Sequence, residues 1–381
     1  MSEVLTAEKI LEEGQERLLP LVQYVLKRSN IPLALSGDAE EKIRKLRRAI
    51  AVRNICLFRE LKSVLQAFNR VGIEAILLKG AMMEGLYPGG LRPFTDIDLL
   101  IHRQKLSRVI EVLSNLGYRP HHPELRPGAE AFHGEVTYVK DGEFPVMIEP
   151  HWTLSDPYLY TDEVNMEEVW ERAKKASIDG VDSFVLCPED CVLHSCLHLF
   201  DHCQSDWLVS SCDIAELIHH YDGKLDWEAF LSRVVRYRVG LPVQFAIQKT
   251  VELFKPPIPS LVLKELSTYK PRRFERWAFT LLASPGLEGA LGSRFLVQFL
   301  TIPRARLKLR RFLISLFPSR EFMLNCYAIK KPELLFLYYP LYLKDIFLIA
   351  VKASFNSVTG GKNTHKPPSP SRIELDGEGT S

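Results

Sequence analysis

The sequence predicts an α+β protein: a mixed sheet flanked by helices, followed by a helical C-terminal domain. Three observations predict it. Apolar residues recur at helical spacing over 40–71, short apolar runs interrupt at 74–78 and 97–101, and beyond about residue 156 helical spacing takes over almost completely.

In chain order, residues 5–27 carry one or two helices ahead of the sheet. Ile43, Leu46, Ile50, Ile55, Leu61, Val64, Leu65 and Phe68 then mark a long amphipathic helix, and Gly72 stops it. The apolar runs 74–78 and 97–101 read as strands, joined by the Gly- and Pro-containing segment 87–94. Leu106, Val109, Ile110, Leu113 and Leu116 make a second helix that ends at Gly117. Residues 135–139 and 145–149 flank Asp141-Gly142, a strong hairpin turn signal. Helical spacing follows at 164–176, 188–202, 208–220, 227–237 and 243–254, with one short strand at 183–186. This order divides the chain into N-terminal helices (1–39), a mixed-sheet core (40–156), a helical domain (157–356) and a disordered tail (357–381).

Composition narrows the class. The 381 residues carry 49 Lys+Arg against 47 Asp+Glu, a net charge of +2, with 46% hydrophobic residues. That balance suits a globular protein and speaks against nucleic-acid binding by bulk electrostatics. The opening MSEVLTAEKILEEGQERLLP has no basic stretch followed by an unbroken apolar one, so a cytoplasmic protein without a secretory signal is expected. Seven cysteines, an odd count in a long chain, fit reduced thiols. The most apolar run, 334–351, contains Pro340, Lys344 and Asp345; it falls short of the roughly 20 apolar residues a membrane span needs and reads as a buried helix.

The chemistry concentrates in LLKGAMMEGLYPGGLRPFTDIDLLI, residues 77–101. Asp96 and Asp98 are two apart at the start of a strand, so both carboxylates share one face. Such a pair can hold one divalent cation or bridge two, and hard oxygen ligands suit magnesium. Sixteen aspartates in 381 residues make one Asp-x-Asp pair an ordinary coincidence, and alone it fits a solvated turn equally well. Context adds weight. Lys79 and Gly80 follow a strand at a turn where backbone N–H groups and an ammonium can gather round a phosphate, and Glu149 in VMIEPHW offers a third carboxylate on a neighbouring strand. Arg92, four residues before Asp96, can reach a triphosphate or pair with a carboxylate.

Lys79-Gly80, the DIDLL segment, the later Glu-Pro-His-Trp and the stretch LHSCLHLFDH…SDWLVSSCDIAELI together resemble the uncharacterised nucleotidyltransferases of the polymerase-beta-like superfamily. The resemblance covers most of the chain. It implies the polymerase-beta-like mixed sheet, Asp96, Asp98 and Glu149 as magnesium ligands and catalytic carboxylates, and Lys79 and Gly80 at the phosphates. It further implies transfer of a nucleoside monophosphate from ATP or another NTP to an acceptor. The superfamily's usual Gly-Ser turn is replaced here by Lys79-Gly80-Ala81, with no serine hydroxyl. An inactive fold serving as a binding module or scaffold in a biosynthetic complex is the alternative.

Two other clusters invite readings. Cys187, Cys191, His194, Cys196, His198, His202 and Cys203 suggest zinc, but they fall inside one helical segment that cannot turn them all inward, so a packed helix with a polar His edge is favoured. One of these histidines can still face a cleft. Arg304, Arg306, Lys308, Arg310 and Arg311 can meet a phosphate backbone or a membrane surface, although a solvated helix face is the commoner fate of such a run.

Overall fold

The computed structural model describes residues 16–31, 37–83, 86–121, 134–155, 160, 163–201, 207–283 and a subset of 306–344. The expected disordered tail, His202, Cys203 and most of the basic run 304–311 lie outside the described residues.

Seven strands form one mixed sheet: β1 (Ala75–Leu77), β2 (Ile97–Ile101), β3 (Arg119–Pro120), β4 (Tyr138–Lys140), β5 (Val146–His151), β6 (Lys174–Ile178) and β7 (Val181–Val185). Their order is β3-β4-β5-β2-β1-β7-β6. The β1–β2 pair is antiparallel, whereas β2–β5 and β1–β7 are parallel. The architecture is thus the mixed α/β arrangement expected.

Helices cover both faces. The first described helices are α1 (Leu19–Arg28), α2 (Gly37–Arg70), the short α3 (Lys79–Met82) and α4 (Leu106–Asn115). After β5 come α5 (Met166–Arg172), α6 (Pro188–Asp201), α7 (Trp207–His220), α8 (Trp227–Arg236), α9 (Gly240–Phe254), α10 (Ser260–Thr268) and α11 (Arg273–Ala283). Alternate strand residues divide between two cores, as a period of two demands. Ala75, Leu77, Ile97, Leu99 and Ile101 pack with Leu61, Phe68, Val109 and Leu113 of α2 and α4. Ile76 and Leu100 face the other way, into a core with α1, α6, α7 and α9. Asp98 shares the side of Leu100, so its carboxylate lies beneath the α6–α7 layer. That placement makes the site.

Two expectations need correction. The helix at 164–176 ends at Arg172, and β6 begins at Lys174, because Asp179 (φ 48°) and Gly180 (φ 80°) both take left-handed backbone and close a tight β6–β7 hairpin. The single short strand at 183–186 is therefore half of this hairpin, at Val181–Val185. The apolar run 334–351 is helical over 335–344, but Phe336, Leu337 and Leu341 stay exposed among the described residues instead of joining either core. Among the described residues no helix is long and apolar enough to cross a membrane.

Candidate active site

The site is assembled from the ends of β1, β2 and β5 under α6 and α7. Leu78 leaves β1 in extended conformation, and Lys79 then adopts a left-handed φ of 42°, a costly conformation for a residue with a Cβ. This kink turns the lysine back over β2, where Nζ donates to Asp98 Oδ1 at 2.7 Å and lies 4.0 Å from Glu149 Oε2. Gly80 is needed for space. A Cβ there would stand 2.3 Å from the Phe94 ring and 2.9 Å from Arg92 Nη1.

Asp98 and Glu149 are register partners in the parallel β2–β5 pair, so their side chains leave the same face side by side. Asp98 is fully buried. Its Oδ1 accepts from both Lys79 Nζ and His151 Nε2, the latter at 2.8 Å, while its Oδ2 is buried with no hydrogen-bond partner among the described residues. Burial alone would raise this carboxyl; Lys79 and His151 outweigh it and hold Asp98 ionised.

Glu149 accepts from Thr137 Oγ1 at 3.1 Å, and burial, reinforced by Asp98 and Glu135, pushes its carboxyl up to about 7. Asp96 accepts from Thr95 Oγ1 and is pushed up to about 6, again by burial and then by Asp98. His151 lies between Asp98 and Glu135, with Nδ1 2.9 Å from Glu135 Oε2. Both flanking groups are acceptors, so both ring nitrogens carry protons. Burial opposes that charge, but Glu135 and the two hydrogen bonds raise the imidazole to about 10. Four carboxyl groups thus surround two cations, and the two raised ones, Asp96 and Glu149, would ionise more readily with a further positive charge beside them.

The ligand atoms of Asp98, Glu149 and His151 lie within 4.8 Å of one another. Because both ring nitrogens of His151 carry protons, the donors open to a cation are the carboxylate oxygens of Asp98 and Glu149, and with the partnerless Asp98 Oδ2 this oxygen pair fits a hard cation such as magnesium. Asp96 lines the same cavity but is not among those three.

A cavity of about 210 Å³ lies over these groups. Lys79, Gly80, Arg92, Asp96, Glu135 and Glu149 form its floor, and His194, Ser195, His198, Ser210 and Asp213 of α6 and α7 form its roof. Arg92 is not a free cation. Its Nε and Nη2 form a fork onto Asp213 at 2.7–3.0 Å, which also accepts from Tyr87. Asn54 of α2 holds the intervening loop by bonding Arg92 O and the Phe94 amide.

All six residues singled out from the sequence line this cavity or, for Asp98, lie buried beneath it. Sequence reasoning missed Glu135 and Asp213. His151 was seen only as a packing neighbour of Glu149, although its i+2 spacing on a strand already placed it on the carboxylate face. Nothing local marks Asp213, which meets Arg92 across 121 residues. In the cysteine segment, Arg233 donates to Cys187 Sγ and Cys191 Sγ donates to Leu186 O, while His194 and His198 are the histidines that face the cavity.

Residues 14–255 match the family described as uncharacterised nucleotidyltransferase. The chain belongs to this family. No curated protein matches the chain at a significant level. An antigenic nucleotidyltransferase-like protein from Paracoccidioides brasiliensis is a solved structure similar to this family member at 14% identity, covering 55% of this chain and 96% of its own, with a TM-score of 0.32.

Proposed function

We propose that the chain is a magnesium-dependent nucleotidyltransferase that moves a nucleoside monophosphate from ATP or another NTP to an acceptor and releases pyrophosphate. The observation that carries this reading is the buried, partnerless Asp98 Oδ2 beside Glu149, in a chain of nucleotidyltransferase family.

Asp98 and Glu149, with Asp96 at the cavity edge, would hold the magnesium, which supplies positive charge at the phosphates when bound. Lys79 and the Cβ-free surface of Gly80 orient the phosphates. Arg92 reaches the triphosphate by sharing the guanidinium that Asp213 now positions. Glu149, raised toward neutrality, takes the proton from the attacking acceptor group. The new oxygen–phosphorus bond forms at the α-phosphorus as the bond to the β-phosphate oxygen breaks, and pyrophosphate leaves. A cytoplasmic location is part of this proposal, supported by the free thiols Cys187, Cys191 and Cys196 among the described residues.

A second reading has one specific observation behind it: Lys79 and His151 already satisfy Asp98 Oδ1 from within the protein, as a metal-free scaffold would require. A thermal-shift panel of ATP, GTP, CTP and UTP, with and without magnesium, separates the two. Stabilisation by one nucleotide only with metal, lost in Asp96→Asn/Asp98→Asn, supports the transferase. No shift with any nucleotide supports the scaffold.

A further inference from the structure

Three Arg and Lys side chains line the cavity, and two of them are already committed. Lys79 Nζ is bound to Asp98 and lies 4.0 Å from Glu149, and Arg92 is forked onto Asp213. The third is Arg17. It sits in the single turn Glu16–Leu18 ahead of α1, is exposed, and its guanidinium pairs with no carboxylate among the described residues. Its neighbour Leu18 is buried in the core with α6, α7 and α9, so the turn is held in place while the charge stays at the rim.

The side of the cavity on which Arg17 stands follows from packing. α1 and α7 run side by side in the same direction. At one end Arg28 meets Glu216 at 3.3 Å and Ser29 Oγ lies 3.3 Å from His219 Nε2; at the other, Arg17 and Leu18 line the cavity together with Val209 and Ser210 from the start of α7. α1 also lies against the loop that carries Arg92, with Tyr24 edge-on to Tyr87 at 5.9 Å and Leu91 in the same apolar cluster. Arg17 therefore belongs to the wall made by Arg92 and α7. That wall rises at the β1 side of the site, since Gly80 follows β1 and Arg92 Nη1 would be 2.9 Å from a Cβ there. Glu149 lies on β5, across β2 from β1, and Glu135 bridges to the same strand.

The cavity is thus polarised, with two guanidiniums on the β1 side and the carboxyls of Glu135 and Glu149 on the β5 side. The one carboxylate in the guanidinium wall, Asp213, is taken up by Arg92 and Tyr87. Two cations on one wall repel unless an anion lies between them. With the α-phosphorus attacked beside Glu149, the rest of a triphosphate leads across the Lys79-Gly80 turn toward that wall. A guanidinium fork matches phosphate oxygens in geometry as well as in charge.

We infer that Arg17 grips the terminal phosphates of the nucleoside triphosphate, so that the turn ahead of α1 completes the phosphate end of the site and lets the protein tell a triphosphate from a monophosphate. This rests on the transferase reading above and adds to it a binding residue from outside the mixed-sheet core.

The test is isothermal titration calorimetry on the full chain with magnesium, using ATP, GTP, CTP and UTP, their monophosphates, inorganic tripolyphosphate and glucose 1-phosphate. The wild type is expected to bind one triphosphate more tightly than its monophosphate, and to bind tripolyphosphate. Arg17→Gln should weaken both triphosphate and tripolyphosphate by about tenfold and leave the monophosphate unchanged. Arg17→Lys keeps the charge but not the fork, is expected to recover part of the loss, and serves if the glutamine variant does not fold. Unchanged triphosphate affinity in Arg17→Gln overturns the inference, and an equal loss for the monophosphate overturns it by moving Arg17 to the nucleoside. Arg17-dependent binding of glucose 1-phosphate in place of tripolyphosphate also overturns it, assigning the residue to an anionic acceptor. A wild type that binds tripolyphosphate through Arg17 but no nucleotide overturns the transferase reading alone, and one that binds neither overturns both.

Discussion

His151 Nε2 lies 2.8 Å from Asp98 Oδ1 while its other nitrogen faces Glu135 at 2.9 Å, so one buried imidazolium ties a carboxylate of β2 to one in the segment ahead of β4. The arrangement does structural and electrostatic work at once. It holds Asp98 ionised in a place where burial would otherwise protonate it, and it fixes the rotamer that leaves Oδ2 turned away from protein partners.

Replacing this ring with one of similar size and no charge isolates that work. His151→Phe leaves Asp98 and Glu135 facing each other across an apolar ring, and removing one partner of a buried ion pair costs about 3–5 kcal/mol. Urea denaturation at pH 7 should show a loss near the lower figure, because Lys79 still partners Asp98. A loss below about 1 kcal/mol would mean that the pair contributes little beyond packing.

The turn at Gly80 makes a sharper steric prediction. A Cβ at this position meets the Phe94 ring at 2.3 Å, and that ring is stacked on Phe58 with centroids 5.1 Å apart, so it has little room to yield. Gly80→Ala should cost about 1–3 kcal/mol, the usual range for overpacking. It should also abolish any nucleotide-dependent thermal shift, because the displaced groups include Arg92. A variant with wild-type stability and nucleotide response would show that the turn relaxes freely.

Much of this was legible in the chain. Gly72 and Gly117 terminate their helices with φ of 68° and 87°, as their positions suggested, and Asp141-Gly142 does lie between β4 and β5. Asp98 and Glu149 stand out because strand periodicity puts Asp98 on a definite face and the hairpin strand ending in VMIEPHW offers Glu149 as a further carboxylate on a neighbouring strand. The β6–β7 hairpin was equally signalled by Asp179-Gly180, but the helical spacing of 164–176 masked it; local propensity was read over too long a window. Glu135, His194 and Asp213 were harder for a physical reason. Their roles exist only through contacts 16, 40 and 121 residues away in sequence, with His151, Leu154 and Arg92, and no local pattern encodes such pairings.

The Arg92–Asp213 fork joins the loop before β2 to α7, the floor of the cavity to its roof. Both side chains are largely buried, and Asp213 also receives Tyr87. Arg92→Lys preserves the charge but replaces a planar two-point contact with a single ammonium, which is not a conservative change at such a site. In a double-mutant cycle of Arg92→Lys with Asp213→Asn, the coupling energy should exceed about 1 kcal/mol. Near-additive effects would show that the two residues act independently despite their contact.

A pH effect is expected away from the carboxylate cluster, at the junction of α1 and α7. Glu216 of α7 is buried, and its closest cation is Arg28 of α1, with Nε 3.3 Å from Oε2 and 40% of its side chain exposed. Burial pushes the Glu216 carboxyl up to about 7, Arg28 offsets this only in part, and Asp213 one helical turn away adds to it. A carboxyl whose folded value exceeds its unfolded value binds its proton more tightly in the native state. The native state is therefore most favoured below about pH 4.5, and this advantage fades as pH rises through 7. Glu216→Gln cannot ionise. Its melting temperature relative to the wild type should climb between pH 5 and 8, by an amount corresponding to about 1 kcal/mol or less, since the side open to Arg28 admits solvent. A wild type that instead gains on the variant as pH rises would show that the Arg28 pairing outweighs burial, and that this ion pair, not the apolar packing of α1, fastens the N-terminal helix to the roof.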